Sequence, residues 1–463
     1  MAQANAVFLQ GNLFRHITVM SLTASVGLMA VFLVDFIDMI FISMLGKEEL
    51  AAAVGYAGAV LFFTTSFGIG MAIAGGALVA RALGEGDEIL ARRRATNTLI
   101  YGVIFGAVFS AIVWVNLPFL VDLLGASEAT RDLAVGYLQI IIPSLPFLLV
   151  GMVGGAILRA HGDARRAMMA TIYGGGVNAV LDPILIFGLN LELTGAALAS
   201  VAARLAIAAT ALLPLIRYHG GFCRPTVPDL GLDLHPIVTL AFPAILTQLA
   251  TPIGQAYVTR AMAEFGEQAV AGMAIVARLT PVAFGVIFAL SGAVGPIIGQ
   301  NFGAKNGARV RQAYRDAMIF TALVVVLISG LLFLLRGPIV ALFGASGITA
   351  DLVILFCGPL ALAFFFNGVM FVSNASFNNM GHPFYSTVLN WGRHTVGTIL
   401  PVMLFSSLFG AAGVLIGQAV GGVIFGLVSV VFALRVMARS EAPAPMDTFT
   451  REARLFTVTH HRR

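Results

Sequence analysis

The sequence predicts an all-α integral membrane protein: twelve transmembrane helices in two six-helix lobes related by a parallel internal repeat. Three observations carry this. The chain is 59% hydrophobic and only 11% charged, where soluble domains carry roughly 25% charge, so it has too few charges to cover a water-facing surface. The apolar residues gather in long continuous runs rather than ten-residue alternations, so helices and not barrel strands are expected. The two halves also share spaced motifs at a nearly constant offset.

Twelve runs are long enough to cross a bilayer, which takes about 20 mostly apolar residues. They fall at 14–45, 50–80, 95–117, 133–157, 168–188, 195–216, 236–262, 268–299, 316–335, 350–377, 384–406 and 411–438. Turn chemistry or charge separates them, as in LGKEE, LGEGDE, RAHGDARR and FGAKNGAR. Residues 1–12 lack the basic start of a cleavable signal, and the apolar run that follows is too long for one.

With both termini on one side, twenty Lys and Arg fall on that side, four on the other and three inside spans. The positive-inside rule then places both termini in the cytoplasm, of a bacterial inner membrane, and the even span count agrees. This use of the basic residues leaves the net charge of +5 no role in nucleic-acid binding. The expected organisation is an N-terminal lobe over 1–220, a cytoplasmic linker over 221–235, a C-terminal lobe over 236–438 and a mobile cytoplasmic tail over 439–463.

LVDLLGAS at 120–127 matches IVALFGAS at 339–346, an offset of 219. Gly84 pairs with Gly303 and Gly162 with Gly381 at the same offset, and Gly46 pairs with Gly266 at 220. Each repeat holds six spans, so both halves enter the membrane from the same side. Such repeats turn about an axis along the membrane normal, with substrate sites where they meet.

Other chemistries find no footing. Cys223 and Cys357 make neither a disulfide framework nor a metal cluster. The glycine runs, such as GYAGAV at 55–60, lie within spans with no strand before them, and no Walker motif is present, so ATP does not drive the protein directly. No HExxH, Ser/His pair at helical spacing or Cys cluster supports a membrane-embedded enzyme, and no cofactor is expected.

Over residues 14–438 the sequence resembles the multidrug and toxic compound extrusion (MATE) family. The resemblance rests on VDFIDMIFISMLGKEELAA in span 1, ALVARALGEGD after span 2, LRAHGDARRAMM after span 4 and NAVLDPILIFG in span 5. It implies a two-lobed antiporter that exports cationic drugs in exchange for inward H⁺ or Na⁺. It also implies that Asp38 and Asp182 are the family's aspartates of spans 1 and 5, with Asn178 the companion of Asp182.

The residues support a site there on their own terms. A carboxylate at mid-bilayer costs several kcal/mol, about 2.5–3.5 on insertion scales, and normally faces a cavity or partner. Asp35, Asp38 and Asp182 are such acids, all in the N-terminal half. Asn178 and Asp182 are four apart and share a helix face, so their oxygens could converge with Asp38 on Na⁺ or hold a proton. Pro183 cannot donate a backbone hydrogen bond and leaves a carbonyl free one turn back. The alternative for Asp182 is a structural hydrogen bond that braces a Pro kink. Asp35 lies three residues before Asp38, where two nearby carboxylates resist double ionisation; it is a proton carrier, a gate or a solvated residue. GGG at 174–176 is expected to let span 5 bend or approach a neighbour.

Arg204, Arg278 and Arg393 lie in spans 6, 8 and 11 as counter-ions or gating residues. Arg204 shares a half with the acids and is expected to pair with them. Arg278 and Arg393 have no acid in their own half's spans, so carbonyls, lipid phosphates, snorkelling or interlobe packing are their alternatives. His394 beside Arg393 could titrate or be a packed, satisfied histidine. The sequence departs from some MATE transporters in carrying no acid at mid-depth in spans 7 and 10. Gln255, Asn367, Asn374 and Asn378 stand there instead, with Asp351 only at an outer end. Ion coupling is therefore assigned to the N-terminal lobe, with Gln255, Asn367 and Asn374 on a polar substrate path.

The expected function is efflux of cationic amphipathic compounds by alternating access, by a monomer in contact with membrane lipid. A flippase of lipid-linked saccharides is the nearest alternative and would be favoured by a cavity rich in Arg; a channel is disfavoured by the two-lobed repeat.

Overall fold

The structure is a computed structural model that describes residues 6–126 and 128–440. The tail expected over 439–463 lies outside the described residues from 441 onward. Among the described residues there is no strand.

A short turn at Val7–Leu9 precedes the first lobe. That lobe holds α1 (Leu13–Met44), α2 (Glu48–Glu85), α3 (Glu88–Val115), a short α4 (Leu117–Leu123), α5 (Glu128–Ile141), α6 (Leu145–Ala160), α7 (Ala164–Pro183) and α8 (Glu192–Tyr218). The second lobe holds α9 (Val227–Ala263), α10 (Glu267–Ala283), α11 (Gly285–Gly303), α12 (Gly307–Leu342), α13 (Gly347–Leu355), α14 (Ala361–Met380), α15 (Pro383–His394), α16 (Val396–Phe409) and α17 (Ala411–Ser440).

Four spans are each made of two helices. Pro143 breaks α5 from α6, and Phe284 with Gly285 breaks α10 from α11. Gly358 and Pro359 sit in the wide turn between α13 and α14. Thr395, at φ −105° and ψ −94°, breaks α15 from α16. Eleven helical stretches are long and apolar enough to cross a membrane alone; α15 and α16, twelve and fourteen residues long, make up the twelfth span together.

The helices overrun the apolar runs that predict them. Their charged turns are good helix formers that need no membrane, so α2 continues to Glu85 and α12 begins at Gly307. The second lobe also starts early. Thr226 caps α9 by accepting from Asp229 N, and the helix begins at Val227, inside the stretch expected to be linker.

The repeat is visible in backbone detail. Asp87 accepts from Leu90 N to start α3, and Asn306 accepts from Arg309 N to start α12; the two caps are 219 residues apart. Gly162 and Gly381 both take positive φ, +81° and +86°, in matching turns where a side chain would be strained.

The lobes meet most tightly at the end of the bundle that carries most of the arginines, here the basic end. A Cβ on Gly84 of α2 would run into the Gln300 carbonyl of α11, and one on Gly303 of α11 into the Arg81 carbonyl of α2. Gly84 and Gly303 are repeat mates, and so are Arg81 and Gln300, so the contact is a pseudo-twofold one. Arg81 reaches across to donate to the carbonyls of Asn378 and Asn379, both at 2.6 Å. Gln300, fully buried, accepts from Phe8 N at 2.9 Å and donates to Ala160 O at 2.8 Å. Arg93 and Asn97 of α3 hold buried Asp233 of α9, at 3.1 Å and 2.7 Å respectively. Leu327, Leu334 and Leu342 of α12 are 71%, 76% and 81% exposed, a surface suited to lipid and not to water.

Candidate functional site

Small residues bring the acids together. Gly27 of α1 lies against Met168 of α7, and a Cβ on Gly175 would stand 2.9 Å from Val34 of α1. Gly174 packs instead on Ile207 of α8. The triple glycine thus lets α7 approach two neighbours at once, and Asp38 of α1 comes to face Asn178 and Asp182 of α7. After Pro183 the helix widens into a π-type turn at Ile184–Gly188, a local irregularity frequent at functional sites.

Asp182 is fully buried and Asn178 is 4% exposed. The Asn178 amide, turned so that its NH₂ faces α1, donates to both Asp38 oxygens at 3.1 Å. The Asp38 and Asp182 carboxyl groups lie within hydrogen-bonding range of each other, yet no described residue donates to either Asp182 oxygen. Two carboxyl groups facing each other in a dry site cannot both stand as bare anions. A shared proton or a small cation resolves the conflict.

Tyr137 of α5, which sequence reasoning did not single out, faces this pair. It neighbours Ser200 of α8 and interacts electrostatically with Asp38, Asp182 and Arg204. A tyrosine in an apolar span is common enough to carry no signal unless its helix face is known. Arg204 does not pair with the acids, contrary to expectation. It donates to Ile141 O at 3.2 Å and to Ser144 Oγ at 3.0 Å. The break between α5 and α6 supplies these acceptors, so the cation is satisfied on the far side of Tyr137. Asp35 sits one turn from Asp38 on an exposed face of α1 and interacts with it electrostatically.

The second lobe gathers a different set. Gln418 of α17 donates to Gln255 of α9 at 3.3 Å. Arg393 is half-buried at the end of α15, and its guanidinium and the Asn367 Oδ1 both face Gly422 of α17. Asn367 Oδ1 and Asn374 Oδ1 are buried without a hydrogen bond. His394 packs on Gly254 and approaches Thr251 at 3.5 Å. Arg278 is exposed on α10 and joins neither group. An apolar crevice of about 290 Å³ opens between the lobes, lined by Phe67, Met71, Phe105, Phe109, Phe242 and Ile245 among others.

A two-lobed helical bundle with a buried, donor-poor acid pair is the architecture of a secondary transporter. The chain belongs to the MatE family, whose profile matches it twice, at residues 24–184 and 243–403. The two matches are themselves 219 residues apart, the offset of the internal repeat. The chain is 27% identical over 423 residues to a protein of Shewanella oneidensis named FAD transporter, covering 90% of this chain and 93% of that one. It is 22% identical over 418 residues to the multidrug export protein MepA of Staphylococcus aureus, covering 88% and 90%. Among solved structures, it matches an outward-facing multidrug resistance MATE transporter of the MOP superfamily with a TM-score of 0.88 at 23% identity, over 95% and 99% of the two chains. It matches a MOP superfamily transporter from Pyrococcus furiosus Vc1 with a TM-score of 0.87 at 23% identity, over the same shares. These likenesses under 25% identity speak for the fold alone.

Proposed function

We propose that the protein is an efflux antiporter of the bacterial inner membrane that exports cationic amphipathic compounds in exchange for inward H⁺. Both termini, and with them the basic end, face the cytoplasm, as the bias of Lys and Arg requires. The single observation that carries the coupling is the Asp38–Asn178–Asp182 cluster, whose two carboxyls face each other with one donor between them. H⁺ is preferred to Na⁺ because Asn178, turned as a donor to Asp38, offers no oxygen ligand toward that carboxylate.

The cycle follows from competition. With the lobes closed at the basic end, as here, protons from outside load Asp38 and Asp182 and displace a bound cation. The lobes rock, the protons leave to the cytoplasm, and the vacated negative site takes up the next cationic cargo. The apolar crevice suits the body of such compounds, since Phe and Met surfaces adapt to varied shapes. The mechanism needs no cofactor and one copy of the chain.

The test is reconstitution in liposomes with a cationic dye, imposing a pH gradient or a Na⁺ gradient separately. A pH gradient alone should drive efflux, and Asp38→Asn and Asp182→Asn should each abolish it. Dye movement driven only by Na⁺ would change the coupling ion. No dye movement under either gradient, with transfer of a labelled lipid-linked saccharide, would replace efflux by the flippase reading.

A second reading of the cargo, as an aromatic organic anion, is favoured by the Arg393 side chain, which has no ion-pair or hydrogen-bond partner among the described residues. The relative named FAD transporter fits it.

A further inference from the structure

We infer that the second lobe holds an anion-docking site centred on Arg393, which receives the phosphate or carboxylate of an aromatic organic anion. The inference deepens the second reading of the cargo and is independent of coupling at Asp38.

The site is built by a broken helix. Thr395 interrupts the span immediately after Arg393 and His394, and the chain re-enters the membrane as α16. Thr398 Oγ1 donates to Arg393 O at 2.8 Å and Thr395 Oγ1 to Trp391 O at 2.6 Å, which satisfy the backbone around the break. The guanidinium is left over. Arg393 as a whole residue is half-buried, and the second lobe's spans carry no acid at its depth. A charge held this way inside a membrane protein normally serves a ligand path.

The groups around it can recognise a ligand but cannot neutralise the charge. Asn367 and Arg393 come together over the bare face of Gly422: a Cβ there would stand 3.4 Å from Asn367 Oδ1 and 3.9 Å from Arg393 Nε and Nη2. Gln418, one turn away on α17, donates its amide to Gln255. Asn367 Oδ1 lacks a donor, so a ligand hydroxyl or ring NH has an acceptor beside the cation. Arg presents a planar fork that matches a phosphate or carboxylate in two parallel bonds. Trp391 and Phe425 flank the same turn, Phe425 packing on Gly392 and Gly397, so an aromatic body has apolar surface to lie against. The two lobes therefore differ in sign, acidic in the first and cationic in the second.

Riboflavin and riboflavin 5′-phosphate share one ring system and differ by a phosphate, so they isolate the charge. Equilibrium dialysis of the purified full chain, read by flavin fluorescence, should show the phosphate bound about tenfold or more tighter than riboflavin, the worth of a charge-assisted contact. Arg393→Gln should bring the two to equal affinity and Arg393→Lys should keep part of the difference. Gly422→Val, which sets a branched side chain against Asn367 and Arg393 and leaves the charge in place, should also equalise them, and so tests the site even where Arg393→Gln fails to fold. Asp38→Asn should leave the preference intact. Equal binding of the two flavins to the wild-type chain overturns the inference, as does a preference that survives in folded Arg393→Gln. Displacement of the phosphate by phosphatidylglycerol micelles also overturns it, by assigning Arg393 to a lipid headgroup. Equal binding of the two flavins to the wild-type chain while dye efflux persists removes this site and leaves the antiporter reading standing.

Discussion

Asn178 decides what the acid pair does. Among the described residues it is the donor set against Asp38, and none donates to Asp182. A hydrogen bond to a charged group is worth about 1.5–3 kcal/mol, and more is lost when its partner stays buried and unpaired. Asn178→Leu keeps the volume and removes the donor, so proton-driven efflux of a cationic dye should fall by about tenfold or more, with the fold retained on size-exclusion chromatography. Efflux unchanged within twofold would show that the amide only packs. Tyr137→Phe, which removes the hydroxyl beside the acid pair, should have a smaller effect in the same assay. These residues differ in how far the sequence announces them. Asp38 and Asp182 stand out because a carboxylate in an apolar run is costly, and Asn178 by its helical spacing. Tyr137 is silent because neutral polar residues are ordinary in spans. Arg204 misleads, because the break at Pro143 that offers it carbonyl and hydroxyl acceptors is a matter of local backbone geometry.

At the scale of elements, the turn between α6 and α7 holds a titratable cluster outside the membrane. Asp163 caps α7 by accepting from Arg166 N at 3.2 Å. Burial alone would push its carboxyl up, but His219 and the Arg166 side chain hold it down to about 2. His161 stacks on His219 with ring centroids 4.6 Å apart. Burial, with the His219 charge beside it, lowers His161 to about 4 from an ordinary 6.5. The unfolded chain therefore binds a proton between pH 6.5 and 4 that the folded chain refuses, so stability falls as pH drops through that window, and Asp163, held down from 3.8 to about 2, continues the fall below it. Partial exposure limits the loss to on the order of 1–2 kcal/mol. Thermal melts in detergent at a fixed scan rate should show Tm falling from pH 6.5 to 4, and His161→Gln should flatten the fall; His219→Gln beside it separates the second ring of the stack. An equal fall in His161→Gln would place the titration elsewhere. The helices themselves were largely legible as long apolar runs, whereas the breaks at Phe284 and Thr395 were not. Neither is a proline; at Thr395 the hydroxyls of Thr395 and Thr398 take up the freed carbonyls locally, which a neutral residue type does not announce.

At the scale of the molecule, alternating access requires the contact at the basic end to be tight yet separable. Gly84 and Gly303 make it so, each pressing its bare Cα against the partner lobe's backbone at a repeat-related position. The sequence shows these glycines as repeat mates but not what they touch, since that depends on how the lobes dock. Replacing either by Ala separates two effects of opposite sign. Within a helix, Ala is about 1 kcal/mol more favourable than Gly, so a variant in which the contact did not matter would be the more stable protein with its lobes still closed. A Cβ at Gly84, however, collides with the Gln300 carbonyl, which is main chain and cannot swing aside. The closed arrangement loses free energy while one parted at this end does not, and the population shifts by that difference. Spin labels at Ile89→Cys and Ala308→Cys, exposed positions at the starts of α3 and α12, should report a longer distance in Gly84→Ala and in Gly303→Ala than in the unsubstituted chain. Dye efflux should slow in both, because a transporter held parted at one end completes fewer cycles. The double variant should add little to either single one, since both act on one shared equilibrium. Unchanged label distances would show that the lobes part along a different line, with the Arg81 and Arg93 contacts as the next places to test.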